Sequence, residues 1–317
     1  MGFLACILKP RGPLHLGERE KMREGSTPFV HSDTLFSALC HCLLLLAGRK
    51  ALEEFLAAEQ GTVPPLRTSS AFPRWQGQFY LPVPRNVLPQ DKETKRLKFV
   101  TKSAFERLIA GETVPDLSGQ GIPREDARPW SVEDVPKVRL SRLSGSTSEG
   151  ALYHVGQVIY EPDAELYFLM KPLPAEWKAR VEAAVRLMCD EGIGGYRSAG
   201  KGNFEQPRFE DFVLATPESA QGWLSLSLYY PADAELTGLG DGCYDLLTRS
   251  GYVYSPDNRS LRRKTVRMFS EGSVFPGSSC QGRLADVTPD GFGSHDVWRN
   301  GLALAVPCRL AQAGKEA

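Results

Sequence analysis

Apolar segments in the first 215 residues have the pattern of buried or half-buried β-strands. Residues 3–8 (FLACIL) and 165–170 (ELYFLM) are almost continuously apolar, and residues 203–214 carry recurrent phenylalanine. Residues 138–143 and 152–160 are β-prone and flank the polar segment SGSTSEG. This arrangement predicts a hairpin whose tip is too polar to be buried.

Two segments between these strands have helical periodicity. Residues 31–48 (HSDTLFSALCHCLLLLAG) repeat apolar side chains at helical spacing, with Ser32 or Asp33 as the predicted cap and Gly48 as the stop. The second helix begins at Pro174 and ends at Gly192. The order of elements is therefore strand, helix, strand region, strand, helix and strand, which is the order of a ferredoxin-like fold.

The other regions have weaker patterns. Residues 60–136 are rich in proline and irregular, with a short strand near 78–83 and a helix over 102–110, and they predict insertions and mobile loops. From Gly222 onward the chain is β-rich, with strands predicted in LSLSLYYP and over 251–254, 265–269 and 302–306. We predict an α+β fold with domains at 1–215 and 216–317, the second a degenerate copy of the first.

Composition excludes several functional classes. The 317 residues have a formal net charge of +0, which argues against a protein that coats nucleic acid through bulk electrostatics. The seven cysteines are scattered without a C-x-x-C pair, so neither a disulfide framework nor a zinc site is expected. We expect no cofactor or metal. The longest apolar run, Cys42–Ala47, is too short to span a bilayer, and a cytoplasmic location is expected.

The segment GIGGYRSAGKGNFE, residues 192–205, is unusual because it contains five glycines beside an arginine and a lysine. It is not a phosphate loop, because Gly202 stands where a Ser or Thr hydroxyl would hold magnesium and because it leaves a helix for a strand. It also lacks the third glycine of a dinucleotide fingerprint. Two interpretations remain open: a tight connector, or a main chain that binds an anion, with Arg197 and Lys201 neutralising phosphates and Tyr196 stacking on a base.

Several sequence segments resemble those of one protein family. The glycine-rich segment resembles the glycine-rich loop of RAMP proteins in CRISPR effector complexes, and HSDTLFSAL with LHLGE resembles the fourth subunit of the type III-A Csm complex. VPKVRLSRLSGSTSEGALYHVGQVIY is similar to the thumb hairpin of that subunit. The C-terminal segments of that subunit are resembled by EGSVF, ADVTP and HDVWRNGLAL. The similar segments therefore extend over nearly the whole chain, in the same order as in the family.

The resemblance implies two ferredoxin-like, RRM-related RAMP domains, a protruding thumb at about 137–160 and a glycine-rich loop at 192–202. It implies a subunit without catalysis that holds the 5′ repeat tag of the crRNA and contacts the large Cas-ten-type subunit and the first backbone RAMP subunit. The thumb would lie against target RNA paired with the guide. The residues that the resemblance makes tag contacts are Gly194, Gly195, Tyr196, Arg197, Ser198, Gly200 and Lys201.

Other candidate residues lie outside the glycine-rich segment. Arg139 and Arg142 would belong to the base of the thumb, and Lys264 and Arg267 belong to a basic run that faces either RNA or a protein partner. His15 and His31 would lie near the RNA groove in a fold of this type. Related endoribonucleases use such a histidine as a general acid or base to process precursor crRNA, which is the alternative function.

Overall fold

The computed structural model describes residues 1–17, 27–87, 97–114, 117, 119–123, 128–141, 145–257 and 261–310. The fold is mixed α/β with antiparallel sheets, in agreement with the α+β prediction. The α-helices in the described ranges are α1 (Ser32–Glu59), α2 (Lys102–Ile109) and α3 (Ala175–Glu191).

Within the described part of the first 215 residues, the strands form a seven-stranded antiparallel sheet and a separate hairpin. In chain order these strands are β1 (Gly2–Leu8), β2 (Phe72–Trp75), β3 (Gln78–Pro82), β4 (Leu97–Thr101), β5 (Gly121–Pro123), β6 (Trp130–Leu140), β7 (Thr147–Tyr160), β8 (Ala164–Met170) and β9 (Arg208–Val213). The order in the sheet is β5-β4-β3-β2-β8-β1-β9, and β6 pairs with β7 in the hairpin. The predicted strands at 3–8, 78–83 and 165–170 are confirmed as β1, β3 and β8.

The core lies where the two long helices meet the sheet. All seven residues of β8 are buried, because β8 lies between β2 and β1 and both of its faces are covered. Helices α1 and α3 pack against each other. Phe55 of α1 contacts Phe36 of the same helix and Trp177 of α3 at ring-centroid distances of 6.0 and 5.3 Å. The predicted helix beginning at Pro174 and ending at Gly192 is confirmed.

Helix α1 differs from its prediction at both ends. Its cap residue is His31 without a side-chain capping bond, so Ser32 and Asp33 do not cap it as predicted. Gly48 does leave the helical conformation, with φ 80° and ψ 177°, but helical backbone resumes and continues to Glu59. Among the described helices, α1 has a length and mean hydropathy that would allow it to cross a membrane, as do many core helices.

The region over 60–136 is more regular than its composition suggests. Strands β2 to β5 extend the main sheet beyond β8, and α2 lies where a helix was predicted. The strand that follows α1 in the sheet is β2, whereas the predicted strand region at 138–160 belongs to the separate hairpin. Strand β3 was predicted, whereas β2, β4 and β5 are short and carry little periodicity, which is why the sequence did not reveal them.

The C-terminal part is built from short strands. These are β10 (Gly222–Ser225), β11 (Leu246–Arg249), β12 (Val266–Phe269), β13 (Val274–Pro276), β14 (Leu284–Asp286), β15 (Trp298–Asn300) and β16 (Ala305–Cys308). They form a three-stranded sheet and two two-stranded sheets. Over 216–257 and 261–310 there is one 3-10 turn, at Asp233–Gly238, and no α-helix. This half therefore lacks, in its described residues, the two helices that a second ferredoxin-like copy would need.

Buried polar bonds join the start of α1 to the C-terminal part. Asp33 accepts hydrogen bonds from Nε of Arg249 at 2.9 Å, from Nη2 of the same residue at 3.0 Å and from Nη1 of Arg299. Nδ1 of His31 lies 2.7 Å from Oε1 of Glu271, which also accepts a bond from Ser70. No local sequence pattern indicates these bonds, since their partners are more than 200 residues apart.

Candidate nucleic-acid interface

The glycine-rich segment forms a compact loop between α3 and β9. Gly192 ends α3 with φ 81°, and its N–H donates to the carbonyl of Met188 at 2.9 Å. The N–H of Ile193 then donates to the carbonyl of Gly202 at 2.9 Å, which closes the loop at its base. The tip is a short 3-10 turn, Arg197–Ala199, flanked by Tyr196 and Gly200 in the left-handed conformation.

Two glycines of the loop are required by close packing. Gly194 has φ +91°, and a Cβ there would collide with the carbonyl oxygen of His15. A Cβ at Gly202, where φ is +80°, would collide with the carbonyl of Ile193. Gly200, by contrast, has φ +78° but open space around the Cβ position. The connector interpretation therefore explains Gly194 and Gly202, because both let two stretches of backbone touch.

The tip of the loop has features that a plain connector does not need. The N–H groups of Gly195, Ala199, Gly200, Lys201 and Gly202 all donate to backbone carbonyls. In the described structure, those of Tyr196, Arg197 and Ser198 have no hydrogen-bond acceptor. Tyr196 is left-handed, with φ 56°, and the turn that follows is right-handed. Successive N–H groups in such a turn form a concave site for an anion.

Tyr196 is held by its neighbours in a defined orientation. Its ring makes an edge contact with His15 at a centroid distance of 5.1 Å, and Nζ of Lys201 lies 5.9 Å from the ring centre. Nδ1 of His15 in turn lies 2.6 Å from the carbonyl of Gly156 on β7. Burial lowers the pKa of His15, although the bond to Gly156 opposes this effect. A neutral His15 therefore donates from Nδ1 and keeps Nε2 as an acceptor.

Lys201 is covered rather than exposed. Lys201 is only 6% exposed, and its Nζ donates a hydrogen bond to Oε1 of Gln157 on β7 at 2.5 Å. Burial and then the positive charge of Lys137 on β6 lower the pKa of Lys201. The base of the hairpin and the glycine loop therefore form one positively charged site. Sequence reasoning missed Gln157, because a glutamine on a strand has no distinguishing pattern.

Arg197 turns toward the C-terminal part. Its Nη1 donates to the carbonyl of Gly192 at 3.4 Å, and its Cζ lies 4.6 Å from the ring centre of Tyr254. Gly194, Ser198 and Gly200 are exposed, while Gly195, Tyr196 and Arg197 are half-buried. The structure thus brings all seven predicted loop residues and His15 together at one place.

The remaining predicted site residues lie apart from this cluster or outside the described structure. Arg142 and the side chain of Arg139 lie outside the described residues, although the backbone of Arg139 belongs to β6. Lys264 pairs with Asp290 at 3.1 Å, and Arg267 is an exposed residue of β12.

The placement of His31 beside an RNA groove is corrected by the structure. His31 is 6% exposed and is bonded to Glu271 at the junction with the C-terminal part. Burial alone would raise the pKa of Glu271, but the charge of His31 and the hydrogen bonds from His31 and Ser70 lower it. His31 is therefore committed to a structural bond, and the RNA-cleavage alternative loses one of its two candidate histidines.

Comparisons with known proteins agree along the whole chain. The sequence profile of the CRISPR Csm4 C-terminal domain matches residues 218–308. The CRISPR system protein Csm4 of Mycobacterium tuberculosis is 29% identical over 292 residues, which cover 90% of this chain and 92% of that protein. The Csm4 protein of Thermococcus onnurineus is 26% identical and covers 98% of both chains.

Solved structures have the same fold. A Csm3–Csm4 subcomplex of the type III-A CRISPR-Cas interference complex contains a chain with a TM-score of 0.66 and 19% identity, covering 96% of this chain and 99% of that one. A Csm1–Csm4 cassette in complex with pppApA contains one with a TM-score of 0.63 and 22% identity, covering 98% of this chain and 100% of that one. The profile and the curated relatives make the chain similar to the Csm4 proteins of CRISPR systems over nearly its whole length, and the solved structures show that it has their fold.

Proposed function

We propose that this chain is a non-catalytic RNA-binding subunit of a type III-A CRISPR effector complex. In this role the glycine loop holds the 5′ repeat tag of the crRNA, and the subunit connects a large Cas-ten-type subunit to the RAMP backbone. The observation that carries the proposal is the exposed tip of the loop, where three N–H groups without acceptors lie beside Tyr196, Arg197 and the base of the hairpin.

The chemistry of this tip suits a single RNA strand. Adjacent N–H groups donate hydrogen bonds to a phosphate oxygen, and Arg197 supplies positive charge beside them. The ring of Tyr196, held by His15, offers a face for a base. Lys201 is buried and its Nζ donates to Gln157 of the hairpin. It therefore contributes to RNA binding through its positive charge and by holding the loop against the hairpin. No base-specific contact is needed for this kind of binding.

The fold supports the same role. Strands β2, β8, β1 and β9 lie side by side in that order, and helices α1 and α3 connect β1 to β2 and β8 to β9. This is the connectivity of a ferredoxin-like, RRM-related domain. The hairpin β6–β7 lies outside the sheet, and it exposes apolar side chains of Val138, Leu140 and Leu152. An exposed apolar hairpin is suited to insert beside stacked bases of a guide–target duplex.

The proposed partners come from the relatives. The similar chains were solved together with Csm1 in one assembly and with Csm3 in another. From the similarity to these chains, we assign this chain a large-subunit contact and a backbone contact on two different surfaces. The basic run with Lys264 and Arg267 belongs to one of these surfaces or to the RNA path.

The test is retention of crRNA by the assembled complex and affinity of the full chain for single-stranded RNA. Tyr196→Ala should weaken binding by about 1–3 kcal/mol if one base stacks on the ring. Arg197→Ala should lower the slope of log affinity against log salt by about 0.7. Arg107→Ala is the matched control, because Arg107 lies on α2 and forms an exposed ion pair with Glu112. Equal RNA retention by all three variants would contradict the proposal.

The absence of catalysis is tested separately. Purified protein incubated with labelled precursor crRNA in the absence of metal should leave the RNA intact. Cleavage that is lost in His15→Ala, in a variant that keeps its thermal stability, would instead support the endoribonuclease alternative.

A further inference from the structure

Two exposed tyrosines of the C-terminal part form a continuous surface with the glycine loop. Tyr252 is 51% exposed and Tyr254 is 46% exposed, whereas Val253 between them is 2% exposed. Residues two apart in extended chain point to the same side. The N–H of Val253 donates to the carbonyl of Leu261 at 2.9 Å, which holds this extended stretch in place. The two rings are therefore presented on one side by an ordered backbone.

Each of these rings has a guanidinium over it. Cζ of Arg197 lies 4.6 Å from the ring centre of Tyr254, and Cζ of Arg262 lies 5.4 Å from that of Tyr252. Nη2 of Arg262 also donates to the hydroxyl of Tyr252 at 3.4 Å. His41 of α1 makes an edge contact with Tyr254 at 5.0 Å, which fixes the ring from a second side. The result is a path of two aromatic–cationic pairs that starts at Arg197.

We propose that Tyr254 and Tyr252, with Arg262, bind the next nucleotides of the single RNA strand that the glycine loop holds. The proposal rests on the proposed function, because Arg197 belongs to both surfaces. Bases stack on the two exposed rings, and Arg262 lies beside the backbone phosphates, as in other binders of single strands. A protein partner is the less favoured occupant, because the surface is continuous with the proposed RNA site and every cation on this path already faces an aromatic ring.

The experiment measures binding of fluorescently labelled oligouridylate, about twelve nucleotides long, to the full chain over a series of salt concentrations. Tyr254→Ala should weaken binding about 5- to 150-fold without changing the salt slope, since stacking neutralises no phosphate. Tyr254→Phe keeps the ring and should bind like the wild type. Arg262→Ala should lower the salt slope by about 0.7. Tyr244→Ala is the matched control, because Tyr244 is 45% exposed but packs on Phe269.

The outcomes separate this inference from the proposed function. If Tyr196→Ala weakens binding and Tyr254→Ala does not, the extended surface is refuted and the loop keeps its role. If neither variant changes affinity, or the wild type fails to bind, both proposals are overturned. If Tyr254→Ala leaves RNA affinity unchanged but releases another subunit from the assembled complex, the surface is a protein interface and the inference is wrong.

Discussion

Replacing Asp33 by alanine should strongly destabilise the junction between α1 and the C-terminal part. The side chain of Asp33 is fully buried, and those of Arg299 and Arg249 are 4% and 14% exposed. Removing the carboxylate leaves two guanidinium groups without their shared acceptor. Breaking a buried ion pair in this way costs about 3–5 kcal/mol, which is a large fraction of the stability of a typical domain.

The assay is urea denaturation followed by tryptophan fluorescence, with hydrogen exchange to locate the change. Asp233→Ala is the matched control, because it removes an equivalent carboxylate from an exposed pair with Arg283, whose side chains are 82% and 44% exposed. That change should cost less than about 1 kcal/mol. In Asp33→Ala, faster exchange should appear both at the start of α1 and in β11 and β15, which carry the two arginines.

The pH dependence of the folding stability provides a second, independent test of the Asp33 prediction. Burial alone would raise the pKa of Asp33, but the charges of Arg249 and Arg299 hold it well below its usual range. The stabilisation is therefore complete above the unfolded pKa of about 3.9 and declines as pH falls below that value. The stability difference between wild type and Asp33→Ala should be constant from about pH 5 to 8 and shrink in acid. A difference no larger than that of Asp233→Ala at neutral pH would refute the reasoning.

Further predictions concern the glycine loop and a buried carboxyl. Gly194→Ala should lower both thermal stability and RNA affinity, because its Cβ would collide with the carbonyl of His15. Gly200→Ala has open space around the Cβ position and should cost only the backbone strain of about 1–2 kcal/mol. Equal losses of thermal stability in the two variants would contradict this prediction. Burial raises the pKa of Glu59 to about 8, against a smaller opposing bond from the N–H of Leu66. Glu59 therefore destabilises the fold increasingly as pH rises from about 4.5 to 8, and Glu59→Gln should raise the melting temperature at pH 8 more than at pH 4.5. Phe55→Ala should destabilise by about 3–5 kcal/mol in urea, because Phe55 is fully buried between α1 and α3; a loss below 1 kcal/mol would contradict this packing.

The sequence predicts best those elements whose side chains repeat with a regular period. β1, β8 and α3 have continuous apolar runs or a clear helical face, and all three lie where they were predicted. The helix after Gly48 and the short strands β4 and β5 lack such a pattern. Their positions are set by pairing with neighbouring strands and by packing against α2 and α3, which a local reading of the sequence does not contain.

The candidate site likewise combines features that the sequence predicts with features that only the fold reveals. The glycine loop is visible in the sequence because few other structures need so many residues without a Cβ, and Gly194 and Gly202 indeed touch other backbone. The partners Gln157, Gly156 and Tyr254 are brought to the loop by the fold alone. His31 was misplaced because a histidine before a helix has the same local sequence whether it faces solvent or, as here, a distant glutamate.

The most direct test of the central claim is photocrosslinking in the assembled complex. A crRNA with a single 4-thiouridine moved through each position of the 5′ tag is irradiated, and the crosslinked peptides are identified by mass spectrometry. Tag nucleotides should crosslink to the peptide containing Tyr196, Arg197 and Ser198. Crosslinks from every tag position to other peptides or other subunits, with none to this loop, would contradict the account.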